Sequence, residues 1–163
     1  MLLTIELVPQ TCFYNNLREY LSKKQWDSIR KRVYIGANHR CQICNGIGPK
    51  WPVECHEVWR YTDKNHIVCL EGFLALCPKC HKVKHLGMAN KLGLLEETLE
   101  HYAIINNLSI SEAEEQLDLA ADEWQERSKH EWIHKIDILE HWLPSEEFIQ
   151  VKLKFEKRIF TRI

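Results

Sequence analysis

The alternation of apolar and polar side chains predicts strands in three parts of the chain. In residues 3–7, apolar side chains at every second position are followed by a proline, which indicates a short strand. Residues 53–61 and 66–76 are rich in β-branched and aromatic side chains and flank the polar turn 62–65, so they are predicted to pair as a hairpin. Residues 151–163 begin with apolar positions that alternate with lysines, which predicts a basic strand or arm.

Helical spacing of apolar side chains dominates the remainder of the chain. The predicted helices span residues 14–20, 23–37, 79–88, 94–105, 111–128 and 133–142. Ser22 is placed to cap the second of them, and Pro78 suits the first turn of the third. Either Ser109 or Ser111 is expected to cap the long fifth helix, because Ser111 and Glu114 have the spacing of a capping box.

Composition is that of an ordinary globular protein. The 163 residues are 45% hydrophobic and 28% charged, which argues against a disordered chain. No stretch approaches about 18 consecutive apolar residues, so no membrane span and no membrane partner are predicted. The start of the chain lacks the basic flank of a signal peptide, which favours a cytoplasmic protein.

The net charge of −1 conceals a division along the chain. Residues 1–95 carry 14 basic and 7 acidic side chains, residues 96–147 carry 3 and 15, and residues 148–163 carry 5 and 1. The basic first part is the one that can approach a polyanion such as nucleic acid. The acidic part is expected to shield a site, bind a protein partner or form a homodimer, and the sequence does not choose among these.

Four of the seven cysteines form two Cys-x-x-Cys pairs, made by Cys41 with Cys44 and by Cys77 with Cys80. Each pair lets two thiolates reach one ion from a tight turn, and two such pairs complete a tetrahedral Zn²⁺ site. A closed site of four thiolates leaves no position for a substrate, so its predicted role is structural. The pairs also favour a reducing compartment over a disulfide framework.

Three histidines lie close to these cysteine pairs along the chain. His81 and His85 are four residues apart on a predicted helix, so their imidazoles leave the same face and can hold one ion. His56, on the facing predicted strand, supplies a third nitrogen. Three neutral nitrogens with open coordination positions suit a catalytic divalent cation, so these histidines are the predicted ligands of a second metal ion.

Several motifs between residues 26 and 88 follow one another in a distinctive order. They are the helix before Cys41, the two cysteine pairs, Glu54-Cys55-His56-Glu57-Val58, and Leu74-Ala75-Leu76-Cys77-Pro78-Lys79-Cys80-His81 with His85. This order resembles the HNH nuclease family, also named for its His-Me finger or ββα-metal unit. The resemblance implies an α+β fold built on a zinc-braced ββα-metal unit at residues 26–90. The other predicted segments are an N-terminal strand and short helix at 1–25, an acidic helical extension at 91–147 and a basic strand or arm at 148–163.

Two registers of the family pattern fit the first strand. In that pattern, a metal-binding residue is followed directly by a general base. The favoured register gives His56 the metal position and Glu57 the base position, whereas the other makes His56 the base and Cys55 the residue before it. His81 matches the final histidine of the motif, and His85 matches an additional helix ligand of some members.

The resemblance implies metal-dependent hydrolysis of phosphodiester bonds in nucleic acid, most simply DNA, in a bacterium or a phage-infected bacterial host. The catalytic residues it implies are Glu57, His56 and His81, with Mg²⁺ or another divalent ion at the histidines. Lysines of the motif helix are predicted to contact neighbouring phosphates, namely Lys79, Lys82 and Lys84.

Two alternatives stand beside this interpretation. Between its base position and its final histidine, the family pattern has an asparagine. That position falls at Gly72 in this sequence, which is consistent with a zinc-binding interaction module that has lost activity. The acidic helical surface is in turn consistent with a regulator that acts on a nucleic-acid-binding protein by imitating phosphate charge.

Overall fold

The computed structural model describes residues 1–13 and 16–160, with side chains up to residue 156. The fold is α+β. The strands are β1 (Glu54–Thr62), β2 (Ile67–Leu76) and β3 (Ile133–Lys135), and the helices are α1 (Lys23–Gly36), α2 (Pro78–Lys84), α3 (Leu86–Lys91), α4 (Leu95–Asn106), α5 (Ile110–Arg127) and α6 (Ser145–Phe160). Short 3₁₀ helices lie at Gln10–Cys12, Leu17–Glu19, Asp63–Asn65 and Asp137–His141. Within the described ranges, no helix combines the length and the apolar character needed to cross a membrane.

The predicted central hairpin is confirmed. Strands β1 and β2 pair in antiparallel fashion, with His56 opposite Leu74. A bulge interrupts the pairing, where Gly72 lies opposite Val58. The chain reverses through the short 3₁₀ helix between the strands, and His66 closes that turn in the left-handed conformation, at a φ of 48°. Helix α2 begins at the second residue after β2, so the hairpin and this helix form one continuous ββα unit.

Side-chain caps fix the starts of α1 and α5. The Ser22 hydroxyl accepts a hydrogen bond from the Gln25 backbone N–H, and the Gln25 side chain accepts one from the Ser22 backbone N–H. This capping box confirms the predicted role of Ser22. At α5, Ser109 and Glu112 make the same reciprocal pair, so the long helix begins one residue earlier than predicted and Ser111 lies inside it.

The predicted N-terminal strand is wrong. Residues 1–9 contain no strand, although Leu3 is buried. The Leu3 backbone N–H donates to the Asn106 side chain at 3.1 Å, and that side chain donates to the Leu3 carbonyl at 2.9 Å. A side chain of α4 therefore supplies the hydrogen bonds that a partner strand would give. In the neighbouring predicted helix 14–20, the structure has only the 3₁₀ turn Leu17–Glu19, and residues 14 and 15 lie outside the described part of the chain.

The predicted helix at 133–142 is also wrong. The chain instead forms β3 and then a 3₁₀ helix. Trp132, His134 and Ile136 are buried, and the residues between them are exposed, which is the period of a strand. β3 pairs in parallel with β2, where Ile133 lies opposite Ile67, and it completes a sheet of order β1-β2-β3.

The basic strand or arm predicted at residues 148–163 is a helix over its described part, while residues 161–163 lie outside that part. Helix α6 buries Val151 and Phe155, four residues apart, whereas Leu153 is 47% exposed. Phe148 packs against the same core as the two buried residues. The spacing of these contacts is helical, so the alternation of Val151, Leu153 and Phe155 indicated the wrong period.

Two large clusters of buried side chains form the core. The first joins α1, the hairpin, the 3₁₀ helix before α6 and α6 itself, through Leu17, Tyr20, Leu21, Ile29, Val33, Val53, Cys55, Leu70, Phe73, Ala75, Ile136, Leu139, Leu143, Val151 and Phe155. The second joins the N-terminal segment, α2, α4 and α5, through Leu3, Cys41, Leu76, Cys77, Cys80, Val83, Leu99, Tyr102, Ala103 and Ala113. The two Cys-x-x-Cys pairs therefore lie against a packed core rather than at a loose surface loop.

A buried histidine makes the stability of this fold dependent on pH. His134 is 9% exposed, and its Nδ1 donates to the Trp132 carbonyl at 3.1 Å. Burial lowers the pKa of His134 from 6.5 to about 4. Between these values the unfolded chain binds more protons than the folded one, so stability is present above pH 6.5 and is lost as the pH falls toward 4.

We expect His134→Gln, which cannot titrate but keeps a donor, to be less sensitive to acid than the wild type. Between pH 7 and pH 5 the wild type should lose about 2 kcal/mol of unfolding free energy more than the variant. Urea denaturation of both proteins at the two pH values measures this difference, in which the contributions of other titrating groups cancel. Equal losses would contradict the assignment of a neutral His134 to the folded state.

Candidate metal centres

The four paired cysteines converge on one point. Cys41 and Cys44 follow α1 in a turn, Cys77 lies between β2 and α2, and Cys80 lies in the first turn of α2. Their sulfur atoms all lie within 4.8 Å of one another, and the Cys44 and Cys77 sulfurs are 3.6 Å apart. Thiolates bound tetrahedrally to one ion at about 2.3 Å have nearly this separation. The geometry of the cluster is compatible with a metal ion.

Backbone hydrogen bonds shape the first cysteine turn and attach it to the sheet. The Cys41 N–H donates to the Gly46 carbonyl at 2.9 Å, and the Gly46 N–H approaches the Cys44 sulfur at 3.4 Å. The Gln42 N–H donates to the Ala75 carbonyl at 2.9 Å, while the Ala75 N–H donates to the Gln42 side chain at 2.8 Å. The turn is therefore held against β2, immediately before the second cysteine pair.

The close approach of the thiols lowers the pKa of one cysteine and raises the pKa of two others. Hydrogen bonds from Cys77 and Cys80 hold the pKa of Cys41 far below its ordinary value. The same contact raises the pKa of Cys77 to about 11 and raises that of Cys80 as well. A metal ion bound among the four sulfurs would remove the need for any of them to keep a proton, because a cation favours the ionised form of every thiol. His101 of α4, with Nε2 3.3 Å from the Cys80 sulfur, is placed to donate an outer hydrogen bond.

The three predicted histidines form a second cluster, called here the imidazole trio. His56 lies in β1, His81 lies in α2, and His85 directly follows α2 as its C-cap residue. The ring centroids are 5.4 Å apart for His56 and His81, 5.1 Å for His56 and His85, and 4.6 Å for His81 and His85. The Nε2 atoms of His81 and His85 are 3.1 Å apart. Two nitrogens bound to one ion at about 2.0–2.1 Å have this separation, roughly 3 Å.

Carboxylates hold two of the three rings from outside. His56 Nε2 lies 3.1 Å from Glu6 Oε2, and His81 Nδ1 is hydrogen-bonded to Glu54. The carboxylates therefore occupy His56 Nε2 and His81 Nδ1 and leave His56 Nδ1 and His81 Nε2 without a carboxylate partner. His56 Nδ1 is buried and has no hydrogen-bond partner among the described residues. A buried imidazole nitrogen without a partner costs free energy unless a proton donor or a metal ion reaches it.

Burial and mutual repulsion keep His81 and His85 neutral. Partial burial is the main reason that the pKa values of His81 and His85 fall to about 4, and the nearby His56 and Arg18 add to the effect. Both rings are therefore uncharged near pH 7 and offer lone pairs. Neutral imidazole is the form that binds divalent transition metals.

Lys84 does not occupy the surface position predicted for a phosphate contact. It is 5% exposed, and its ammonium donates to the Thr4 hydroxyl at 2.6 Å and to the Glu6 carboxylate. Lys82 pairs with Glu97 at the surface. Lys84 is thus part of the interior, where it neutralises Glu6.

The trio opens into a cleft of about 790 Å³. Arg18 and Glu57 line it beside the histidines, and Glu123 and Arg127 of α5 line its far end. The Arg18 guanidinium lies over the Trp26 ring, 4.6 Å from the centroid, and its Nε is 3.6 Å from the Glu57 carboxylate. The side chain of Arg18 remains 48% exposed, so it is available to an anion in the cleft.

The predicted site residues are therefore partly assembled. The structure brings His56, His81 and His85 together, and it places Glu57 beside Arg18 in the same cleft but outside the group of mutually close ligand atoms. At the position of the family's asparagine, Gly72 lies in the bulge, and a Cβ added there would meet no atom within 4 Å.

Sequence reasoning missed the residues that act from outside the motif. Glu6 precedes His56 by 50 residues, and no local spacing links the two. Arg18 and His101 likewise lie far along the chain from the histidines and cysteines that they approach, so no local spacing links them. Glu54 lies two residues before His56, but nothing in its position identifies His81 as its partner.

Compared with family models, curated proteins and solved structures, the chain matches none.

Proposed function

We propose that the chain is a metal-dependent nuclease of the HNH type, which hydrolyses phosphodiester bonds in DNA. The observation that carries the proposal is the imidazole trio, which one hairpin strand and the helix directly after the hairpin contribute together. A trio on a ββα unit beside a four-cysteine cluster is the arrangement that the resemblance implies. The cysteine cluster is proposed to hold structural Zn²⁺.

The trio fits a divalent cation. His56 Nδ1, His81 Nε2 and His85 Nε2 would hold it, because the remaining nitrogens of the first two rings face carboxylates. A bound divalent ion acts as a Lewis acid on a phosphate oxygen and lowers the pKa of water. Outer carboxylates such as Glu54 orient a ligating ring and increase its basicity.

The remaining chemistry belongs to side chains of the cleft. Arg18 is placed to bind a non-bridging phosphate oxygen, since its guanidinium is exposed beside the trio. Lys79 is exposed on α2 and is proposed to bind a neighbouring phosphate. The proton of the attacking water passes to Glu57 or to His56, according to the register that applies.

Cleavage of supercoiled plasmid tests the activity. With Mg²⁺, Mn²⁺ or Ni²⁺, the wild type should nick the plasmid, and His81→Ala should reduce the rate by about 100-fold or more. His141→Ala is the matched control, because that histidine is exposed and lies outside the trio. Both variants should keep the metal of the cysteine cluster. Equal nicking by wild type and His81→Ala would refute the proposal.

Metal binding separates the two registers. If His56 is a ligand and Glu57 the base, His56→Ala should weaken binding of Ni²⁺ to the zinc-loaded protein, whereas Glu57→Gln should lower only the cleavage rate. If His56 is the base, His56→Ala should retain Ni²⁺ binding and lose cleavage. Calorimetric titration measures the affinity, and the plasmid assay measures the rate.

A second candidate function is a zinc-braced binding module without activity. The lack of a side chain at Gly72, where the family has an asparagine, favours it. Under this alternative, the plasmid stays intact with every divalent ion tested, and a labelled DNA duplex is still retarded in a gel. Binding that persists in His81→Ala would support the module, since no metal ion at the trio is then required.

A further inference from the structure

We propose that Glu6 is a positioning residue, which holds His56 in the tautomer that carries its proton on Nε2 and its lone pair on Nδ1. Glu6 lies in the N-terminal segment, outside the ββα unit that carries the motif. Its consequence for catalysis rests on the proposed nuclease function, because His56 needs this lone pair both as a metal ligand and as a general base. The positioning itself is a property of the folded chain and can be measured separately.

The first support is the contact between the two side chains. Glu6 Oε2 lies 3.1 Å from His56 Nε2, and His56 is 5% exposed. A carboxylate oxygen accepts hydrogen bonds and has none to give, so the imidazole must carry its proton on Nε2. A neutral imidazole has only one such proton, which leaves Nδ1 as a lone pair. That nitrogen is the buried atom for which the described residues provide no partner.

The second support is the ion pair that Glu6 makes with Lys84. The Lys84 ammonium donates to its other carboxylate oxygen and to the Thr4 hydroxyl. Glu6 is thus held between a cation on one carboxylate oxygen and the His56 ring on the other. An ionised carboxylate is a stronger acceptor than a neutral one. Lys84 follows His81 on α2, so one helix supplies both a trio member and the counter-ion of Glu6.

The third support is the anchoring of the segment that carries Glu6. On one side of it, the Leu3 backbone is hydrogen-bonded to Asn106 of α4. On the other side, the Trp124 indole of α5 donates to the Val8 carbonyl at 2.8 Å. The helical extension thus holds both ends of the segment. An extended chain fixed in this way can place one carboxylate with the precision that a strand or helix would otherwise provide.

The test is the ring tautomer of His56, read from ¹⁵N shifts at pH 7.5 in protein loaded with one zinc per chain. The resonances are assigned with His56→Gln. The wild type should show a protonated Nε2 and a bare Nδ1. The double variant Glu6→Leu/Lys84→Met removes both buried charges at once, so neither remains unpaired. It should shift His56 toward the Nδ1-protonated form and weaken Ni²⁺ binding by about 10- to 100-fold.

The matched control is Lys82→Met/Glu97→Leu, which removes a surface lysine–glutamate pair between α2 and α4 that does not contact His56. It should keep the wild-type tautomer and Ni²⁺ affinity. A wild-type tautomer in Glu6→Leu/Lys84→Met would overturn the proposal. If that variant does not fold, Glu6→Gln provides the readout. Its weaker acceptor should move the His56 Nε2 proton upfield, and an unchanged shift would contradict the positioning role.

The tautomer and the plasmid assay can fail independently. A tautomer shift in the double variant, together with a wild type that cleaves no DNA, would support positioning by Glu6 and refute the nuclease function. Cleavage by the wild type, together with an unchanged tautomer in the double variant, would support the nuclease function and refute positioning by Glu6.

Discussion

Cys80→Ser is expected to abolish binding of the zinc proposed for the cysteine cluster and to lower the melting temperature by about 10 °C or more. Cys80 is fully buried in the second core cluster, together with Leu76 and Val83. Structural zinc contributes on the order of 10 kcal/mol in small zinc domains, which is comparable with the whole unfolding free energy of a typical protein. Each kcal/mol lost shifts the melting temperature of a chain of this size by about 2–4 °C.

The measurements are metal content by mass spectrometry and thermal unfolding by circular dichroism. Cys69→Ser is the control, because Cys69 lies on β2 outside the cluster and is only partly buried. It should keep one zinc per chain and change the unfolding free energy by about 1 kcal/mol or less. Treatment of the wild type with a strong chelator should reproduce the effect of Cys80→Ser. A Cys80→Ser protein with full zinc content would show that the cluster is not a metal site.

Phe155→Ala should lower the unfolding free energy by about 3–5 kcal/mol, the usual loss for a fully buried phenylalanine. Phe155 is 1% exposed, and its ring meets the edge of Tyr20 at a centroid distance of 4.7 Å. The truncation leaves a cavity in the first core cluster, between α6 and the residues that precede α1. Urea denaturation should therefore show a lower midpoint with little change in slope.

Leu153→Ala is the matched control for this prediction, because it lies two residues away on the exposed side of α6. Its effect should stay within about 0.5 kcal/mol. The pair of variants also distinguishes a helix from the strand that the sequence pattern indicated. In a strand, Leu153 and Phe155 would share one face, and both truncations would then be costly.

Local signals in the sequence sufficed for the central part of the fold. The hairpin follows from two apolar runs around a polar turn, and the cysteine pairs follow from their spacing. The cap of α1 follows from Ser22 and Gln25, which are three residues apart. Each of these features depends on neighbours along the chain, so a sequence pattern can carry the information.

The remaining elements depend on contacts between distant segments. The backbone of Leu3 pairs with the side chain of Asn106, which lies 103 residues away. β3 is three residues long and exists because β2 offers it an edge. In α6, the apolar positions satisfy both a period of two and a helical period when the window begins at Val151. Phe148 extends the helical pattern and resolves the ambiguity.

The candidate site divides in the same way. The imidazole trio could be predicted because His81 and His85 are close in sequence and His56 lies on the facing strand. Glu6 and Arg18 could not, because their positions depend on how the N-terminal segment packs against helices far along the chain. The residues that contact the histidines from distant segments thus carry weaker sequence signals than the histidines themselves.

Cys80 and His81 are consecutive residues of α2, so the two clusters share one short piece of backbone. We therefore expect occupancy of one centre to be energetically coupled to occupancy of the other. If zinc in the cysteine cluster raises the affinity of the histidines for a metal ion by some factor, an ion at the histidines must raise the affinity of the cysteine cluster for zinc by the same factor. Where the coupling is favourable, loading the histidines should then raise the affinity of the cysteine cluster for its ion, and competition with a chelator at equilibrium would report the state of the second centre.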